Sequence, residues 1–264
     1  MNRRQRLAEA LVKEGVDAFV VEPGYTFQYY ANISQKDWEP WEPEERPFLM
    51  VVQPEVVQIQ GGDREDWGRR QVRARTRFLA PSFEVERARL LGMPFSEDTL
   101  GDGDGGGLEF VGWEEHWNPY STLFDSWIFY DSGNERIEEG RQPKIMVDEE
   151  MRDYIQRGLG SNGFEVVGLG GEVERVKQTK SEAEIEIVRA VNTGTVEAVR
   201  AMRRCMYPGL TENEVMEVLD ETLRAAGLEP FFDIVLFGMF CSFCGSLPCL
   251  GDGKAGGMLK SEDR

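Results

Sequence analysis

Two spacings of apolar residues alternate along the first two thirds of the chain. Leu7, Ala8, Leu11 and Val12 share one face of a helix running from about Arg3 to Glu14, and Gly15 follows as a stop. Short apolar runs at Val16–Val21, Phe48–Val52, Arg77–Leu79, Leu108–Trp113, Lys144–Val147 and Phe164–Leu169 predict strands. Between them, Glu84–Leu91, Tyr120–Phe129 and Glu149–Leu159 read as helices. This alternation predicts an α/β layer architecture around a mixed sheet. Two stretches interrupt it. Gln60–Arg75 is charged and glycine-containing and reads as a surface loop, and Ser96–Gly107 reads as a flexible one.

The texture changes near Glu172. Ser181 and Glu184 have capping-box spacing, so the hydroxyl and carboxylate can satisfy the first free amides of a helix. Ile185, Val188, Val191, Thr195, Val199 and Met202 then recur at helical spacing up to Tyr207-Pro208-Gly209. Thr211 and Glu214 form a second capping box, Val215, Val218, Leu219 and Leu223 line the helix that follows, and Gly227 ends it. Phe231–Phe237 reads as a buried strand. The expected domains are therefore residues 1–172, with the mixed sheet, and residues 173–264, a shorter α+β unit.

Composition narrows the functional classes. Hydrophobic residues make up 41% of 264 and charged residues 30%, which suits a globular chain with a sizeable core. No apolar run is long enough to span a bilayer, and the basic N-terminus leads into no signal-type apolar segment. A cytoplasmic location with no membrane partner is expected. The net charge of −18 argues against nucleic acid as a partner, since duplex binding needs cationic side chains against phosphates. Four cysteines clustered in the last quarter do not make a secreted disulfide framework.

The candidate motifs are weak by themselves. Gly101, Gly103 and Gly106 match a dinucleotide-type spacing, but Asp102 and Asp104 would repel a pyrophosphate and no strand leads into them. The same aspartates do not fall into a calcium-loop register. Gly168, Gly170 and Gly171 follow a strand, yet Val173 fills the third glycine position, so a plain strand-to-helix connection is expected. Cys241 and Cys244 form a CxxC with Cys249 nearby, without the fourth ligand of a tetrahedral zinc site or the helix of a redox pair. His116 is the single histidine and reads as a surface residue on a polar turn. The segment from Asp37 to Pro47, with Trp38 and Trp41, reads as a pocket rim, a subunit contact or a packed loop.

Several stretches taken in order resemble the creatinase, prolidase and aminopeptidase P family, the pita-bread metallopeptidases. In the first half these are Gly15-Val16-Asp17-Ala18-Phe19-Val20-Val21, Tyr29-Tyr30-Ala31-Asn32-Ile33-Ser34 and Glu45-Arg46-Pro47-Phe48-Leu49. In the second half they are Arg175–Ser181 with Glu184-Ile185, Pro208-Gly209-Leu210-Thr211-Glu212, and Asp233–Gly238. The resemblance spans about residues 5–238. It implies a creatinase-like N-terminal mixed-sheet domain followed by an incomplete pita-bread domain. It implies hydrolysis of the bond before proline in peptide substrates, by two divalent metals such as manganese held by two aspartates, a histidine and two glutamates. It also implies pairing of copies through the N-terminal domain. By this resemblance none of the five ligands falls within these 264 residues, so no metal and no catalytic residue is expected here. Phe237, Gly238, Pro248 and Cys249 are the expected remnant of a substrate pocket, with Cys249 where the family carries a histidine. The chain is therefore expected to be a truncated, inactive relative of Xaa-Pro aminopeptidases and dipeptidases, or an interaction protein derived from them. A further expectation is that the segment after about Pro230, its strand lacking partners, is poorly ordered or prone to association.

Overall fold

The computed structural model describes residues 3–41, 46–58, 70–93, 108–129 and 141–237. Two compact units divide between Thr179 and Lys180. The boundary expected between residues 172 and 173 falls inside a helix of the first unit.

The first unit is built on a six-stranded mixed sheet in the order β4-β3-β2-β1-β5-β6. The strands are β1 (Ala18–Val21), β2 (Leu49–Gln58), β3 (Arg70–Pro81), β4 (Glu109–Trp113), β5 (Lys144–Val147) and β6 (Glu165–Val167). β1–β2 and β2–β3 are antiparallel, whereas β3–β4, β1–β5 and β5–β6 are parallel. Side chains alternate across the pleat, so each strand feeds two cores. Phe19, Met50, Val52, Phe78 and Met146 face α1 (Arg3–Glu14), α2 (Tyr25–Ala31) and α7 (Gly171–Gln178), meeting Leu7, Leu11, Phe27 and Val173 there. Val20, Val51, Leu79 and Ile145 face the opposite way. They meet Leu123 of α5 (Pro119–Phe124) and Ile155 and Leu159 of α6 (Asp153–Ser161). Each such fully buried Leu, Ile or Phe contributes about 1.5–3 kcal/mol relative to exposure.

Local signals explain the elements the periodicity predicts. α1 buries Leu7, Ala8 and Leu11, and Gly15 ends it at φ +67°, a conformation that strains any residue with a Cβ. α7 belongs to the first unit because it is tied to α1: Arg6 donates to the carbonyls of Val176 and Thr179, and Glu14 accepts from the Glu172 amide at 2.8 Å.

Four expectations for the first unit need correction. Residues 70–75 are the first part of β3, not loop. Val72, Ala74, Thr76 and Phe78 alternate with Arg73, Arg75 and Arg77, a period-two pattern that the arginines disguise as a charged surface stretch. The helix expected over Tyr120–Phe129 breaks after Phe124 and resumes as a single 3₁₀ turn, Trp127–Phe129. The helix expected from Glu149 begins at Asp153. Finally, α2 and α3 (Gln35–Trp38) were not predicted, since they are too short to show a helical stripe. One more short helix, α4 (Val85–Arg89), follows β3 within the predicted helical stretch.

The second unit contains α8 (Glu182–Met202) and α9 (Glu212–Ala225), both opened by the predicted capping boxes. Ala198, Met202, Val215 and Leu223 are buried, and Gly194 lets Leu228 approach closely. Residues 231–237 are not a strand: no neighbouring strand pairs with them among the described residues, and Phe231 and Phe232 are 80% and 76% exposed. An apolar run becomes a strand only when a ladder satisfies its backbone. The expectation of poor order for Gly238–Arg264 falls outside the described residues.

Candidate functional site

The first unit has a cavity of about 150 Å³ at the carboxyl ends of the parallel pair β1 and β5. Both strands end there in polar residues. β1 leads into Glu22-Pro23-Gly24 and the start of α2, and β5 leads into Asp148 and on to Arg152. Neighbouring parallel strands with short polar exits leave a crevice of this kind. Arg152 donates to Glu22 through Nε (2.5 Å) and through its backbone amide (2.6 Å). Lys177 of α7 donates to Asp148 Oδ1 and to Thr26 Oγ1, both at 3.3 Å. Trp38 forms one wall, meets Tyr25 edge to face at 5.4 Å, and donates its indole N–H to Gln28 at 2.8 Å.

Each inner carboxylate of this cavity thus already holds a cation. Tyr30, packed behind it, has a buried hydroxyl without a hydrogen-bond partner. Burial, and then the charges of Tyr29 and Asp148, push its phenol well above the usual range, so it stays neutral. Its walls carry no histidine or cysteine, and the paired Glu22 and Asp148 carboxylates suit it to hold a small polar group.

The remaining sequence candidates are dispersed. Phe237 is half-buried in the second unit, its backbone amide donating to Glu212 Oε1 at 2.7 Å. Asp233, four residues earlier, keeps a buried carboxylate oxygen without a hydrogen bond. Gly238, Pro248 and Cys249 lie outside the described residues, as do the acidic glycine loop and the CxxC. His116 is exposed on the turn after β4, edge-on to Trp117, as the polar-turn reading expects. Gly170 does connect β6 to α7, and at that helix start the Glu172 amide donates to the chain's own Glu14 carboxylate. An anionic cofactor there would be repelled. Trp38 and Trp41 are both buried, Trp41 stacked on Phe48 at 4.5 Å, so these two tryptophans are packed structure, with Trp38 also a cavity wall.

The crevice is the feature that sequence reasoning missed. Its signal was the pairing of two strand exits, Glu22-Pro23-Gly24 and Asp148–Arg152, which are adjacent only once β1 and β5 are known to be neighbours. Among the described residues no group of three or more His, Cys, Asp or Glu side chains could hold a metal ion. Two adjacent divalent cations need several convergent carboxylates to offset their repulsion, so these residues do not fit a dinuclear centre.

No family model matches the chain. It is 33% identical over 240 residues to an uncharacterised peptidase of Schizosaccharomyces pombe, covering 90% of this chain and 45% of that one. Among solved structures it resembles dipeptidase PepE from Mycobacterium ulcerans (TM-score 0.58, 16% identity, 85% of this chain and 48% of that one). It also resembles a dipeptidase from Pyrococcus horikoshii (0.53, 17%, 84% and 49%) and the X-Pro aminopeptidase of Thermotoga maritima (0.52, 16%, 86% and 50%). The chain spans about half the length of these relatives. A peptidase relative thus matches nearly all of this sequence, and the fold is one shared with about half of each of the known dipeptidases and the X-Pro aminopeptidase.

Proposed function

We propose that this chain is an Xaa-Pro aminopeptidase- or dipeptidase-like protein that carries the framework of such an enzyme without its hydrolytic centre. The observation behind this is the lack, among the described residues, of any side-chain group able to hold a metal, in a chain matching under half of its peptidase relative. The names of its structural neighbours, which include an X-Pro aminopeptidase and an Xaa-Pro dipeptidase from Bacillus anthracis, support the substrate class. In a longer relative, two divalent metals such as manganese would supply an activated water. Here Phe237, Gly238, Pro248 and Cys249 would be what remains of the proline-side pocket. The test is hydrolysis of Ala-Pro and Gly-Pro by the 264-residue chain with added manganese. No turnover is expected, and turnover abolished by a chelator would overturn the reading.

A second reading, a non-enzymatic interaction protein, is favoured by the apolar side chains left open in the second unit. Ile187 on α8 is 61% exposed, and Phe231 and Phe232 more so. On this reading the chain self-associates at micromolar concentration, and Phe231→Ser with Phe232→Ser weakens that association in sedimentation velocity. A strict monomer would count against it. A cytoplasmic location remains part of the proposal, supported by the absence, among the described residues, of any helix long and apolar enough to cross a membrane.

A further inference from the structure

β4 ends the sheet order, and among the described residues no strand pairs with its outer side. An open groove of about 490 Å³ runs there. Its wall includes the consecutive residues Phe110, Val111 and Gly112. Successive strand residues point to opposite faces, so a groove touching all three runs along the edge of the strand and not over one face. Such an edge offers backbone N–H and C=O groups to an incoming extended segment.

The other walls are chemically specific. Trp117 and Trp127 line the groove and are about half exposed, at 49% and 51%. Large exposed indoles are uncommon on a surface that meets only water. Trp127 already accepts a cation, with the Arg77 guanidinium 4.7 Å from its ring centre. That guanidinium is neutralised by Glu109, at 2.6 Å. The exposed carboxylate of Asp125, also in the wall, forms no ion pair or hydrogen bond among the described residues. It sits at the C-cap of α5, where the helix's own free carbonyls already make the potential negative. A carboxylate there disfavours the helix and favours a cation in the groove.

We propose that this groove binds an extended peptide segment as an added strand along β4, with a lysine or arginine side chain of that segment against Trp117 and Trp127 and paired with Asp125. The unpaired carboxylate and the aromatic faces select a cationic side chain, and the strand edge selects an extended backbone. This site lies away from the crevice at β1 and β5 and does not depend on the peptidase reading.

The test uses the full chain and an acetylated, amidated peptide, Thr-Val-Lys-Val-Thr, followed by tryptophan fluorescence and calorimetry. Saturable binding is expected, weakened about tenfold when norleucine replaces the lysine. Asp125→Asn should reduce that lysine preference while leaving the norleucine peptide unchanged. N-methylation of alternate peptide amides should abolish binding by either peptide. The proposal is overturned if the lysine peptide does not bind, if the N-methylated peptide binds as well as its parent, or if Asp125→Asn leaves the preference intact. It is also overturned if sedimentation shows the edge occupied by a second copy that the peptide does not displace.

Discussion

Asp17 and Glu109 show how single charges are accommodated in this sheet. Asp17 is buried just before β1, and its carboxylate accepts two bonds from Arg141 Nη2, at 2.7 and 2.9 Å, and one from the Lys144 amide at 2.7 Å. The start of β5 is thereby fastened to the start of β1 by a charged hydrogen bond. Glu109 plays the corresponding part at β4, receiving Arg75 and Arg77 of β3 at 2.9 and 2.6 Å. Burial would raise its carboxyl, but the two guanidinium groups outweigh this and hold it below its ordinary value of 4.5. A depressed folded-state value gives stability that is complete above that ordinary value and is lost as pH falls through the folded one. Glu109→Gln should therefore lower urea stability at pH 7 and flatten the decline below about pH 4.5. Unchanged acid sensitivity in the variant would show that the arginine pair does not set the titration.

At the scale of elements, capping carries much of the definition of the second unit. Ser181 accepts from the Glu184 amide while Glu184 accepts from Ser181, and Thr211 and Glu214 repeat the arrangement. Because α8 buries few side chains, its start depends on this cap more than a core helix would. Ser181→Ala should cost about 1 kcal/mol by chemical denaturation. It should also raise amide exchange in the first turn of α8, and an exchange pattern confined to other segments would contradict this. These caps were legible because a hydroxyl and a carboxylate three residues apart state a local geometry. β1, β4 and β5 were legible for a similar reason, as short apolar runs between polar turns. The arginine-studded half of β3 was not, because Arg75 and Arg77 are paired by Glu55 and Glu109 from other strands. The strand expected over Phe231–Phe237 failed for the opposite reason: local apolarity does not supply a partner. The crevice stayed hidden for want of strand order, and the edge groove because nothing local marks β4 as terminal or joins Trp117 and Trp127 to it.

As a whole, the molecule is two compact units of unequal self-sufficiency. The first has a core on each side of its sheet and includes α7, so residues 1–179 should fold without the rest. Expressed alone, that segment should unfold in one cooperative urea transition with dispersed amide resonances, whereas a broad, non-cooperative transition would mean that the second unit is needed. Among the described strands of this unit β1 is both the first made and a central one, flanked by β2 on one side and β5 on the other. A ribosome delivers β2 soon after β1, but β5 only after the long excursion through β3, β4 and α5. At about 5–20 residues per second, the β5 side of β1 stays unpaired for on the order of several seconds in every round of synthesis. The nascent chain thus passes through an interval in which its most apolar strand has one open side, and that interval, more than the finished fold, is when it is most exposed to chaperones and proteases.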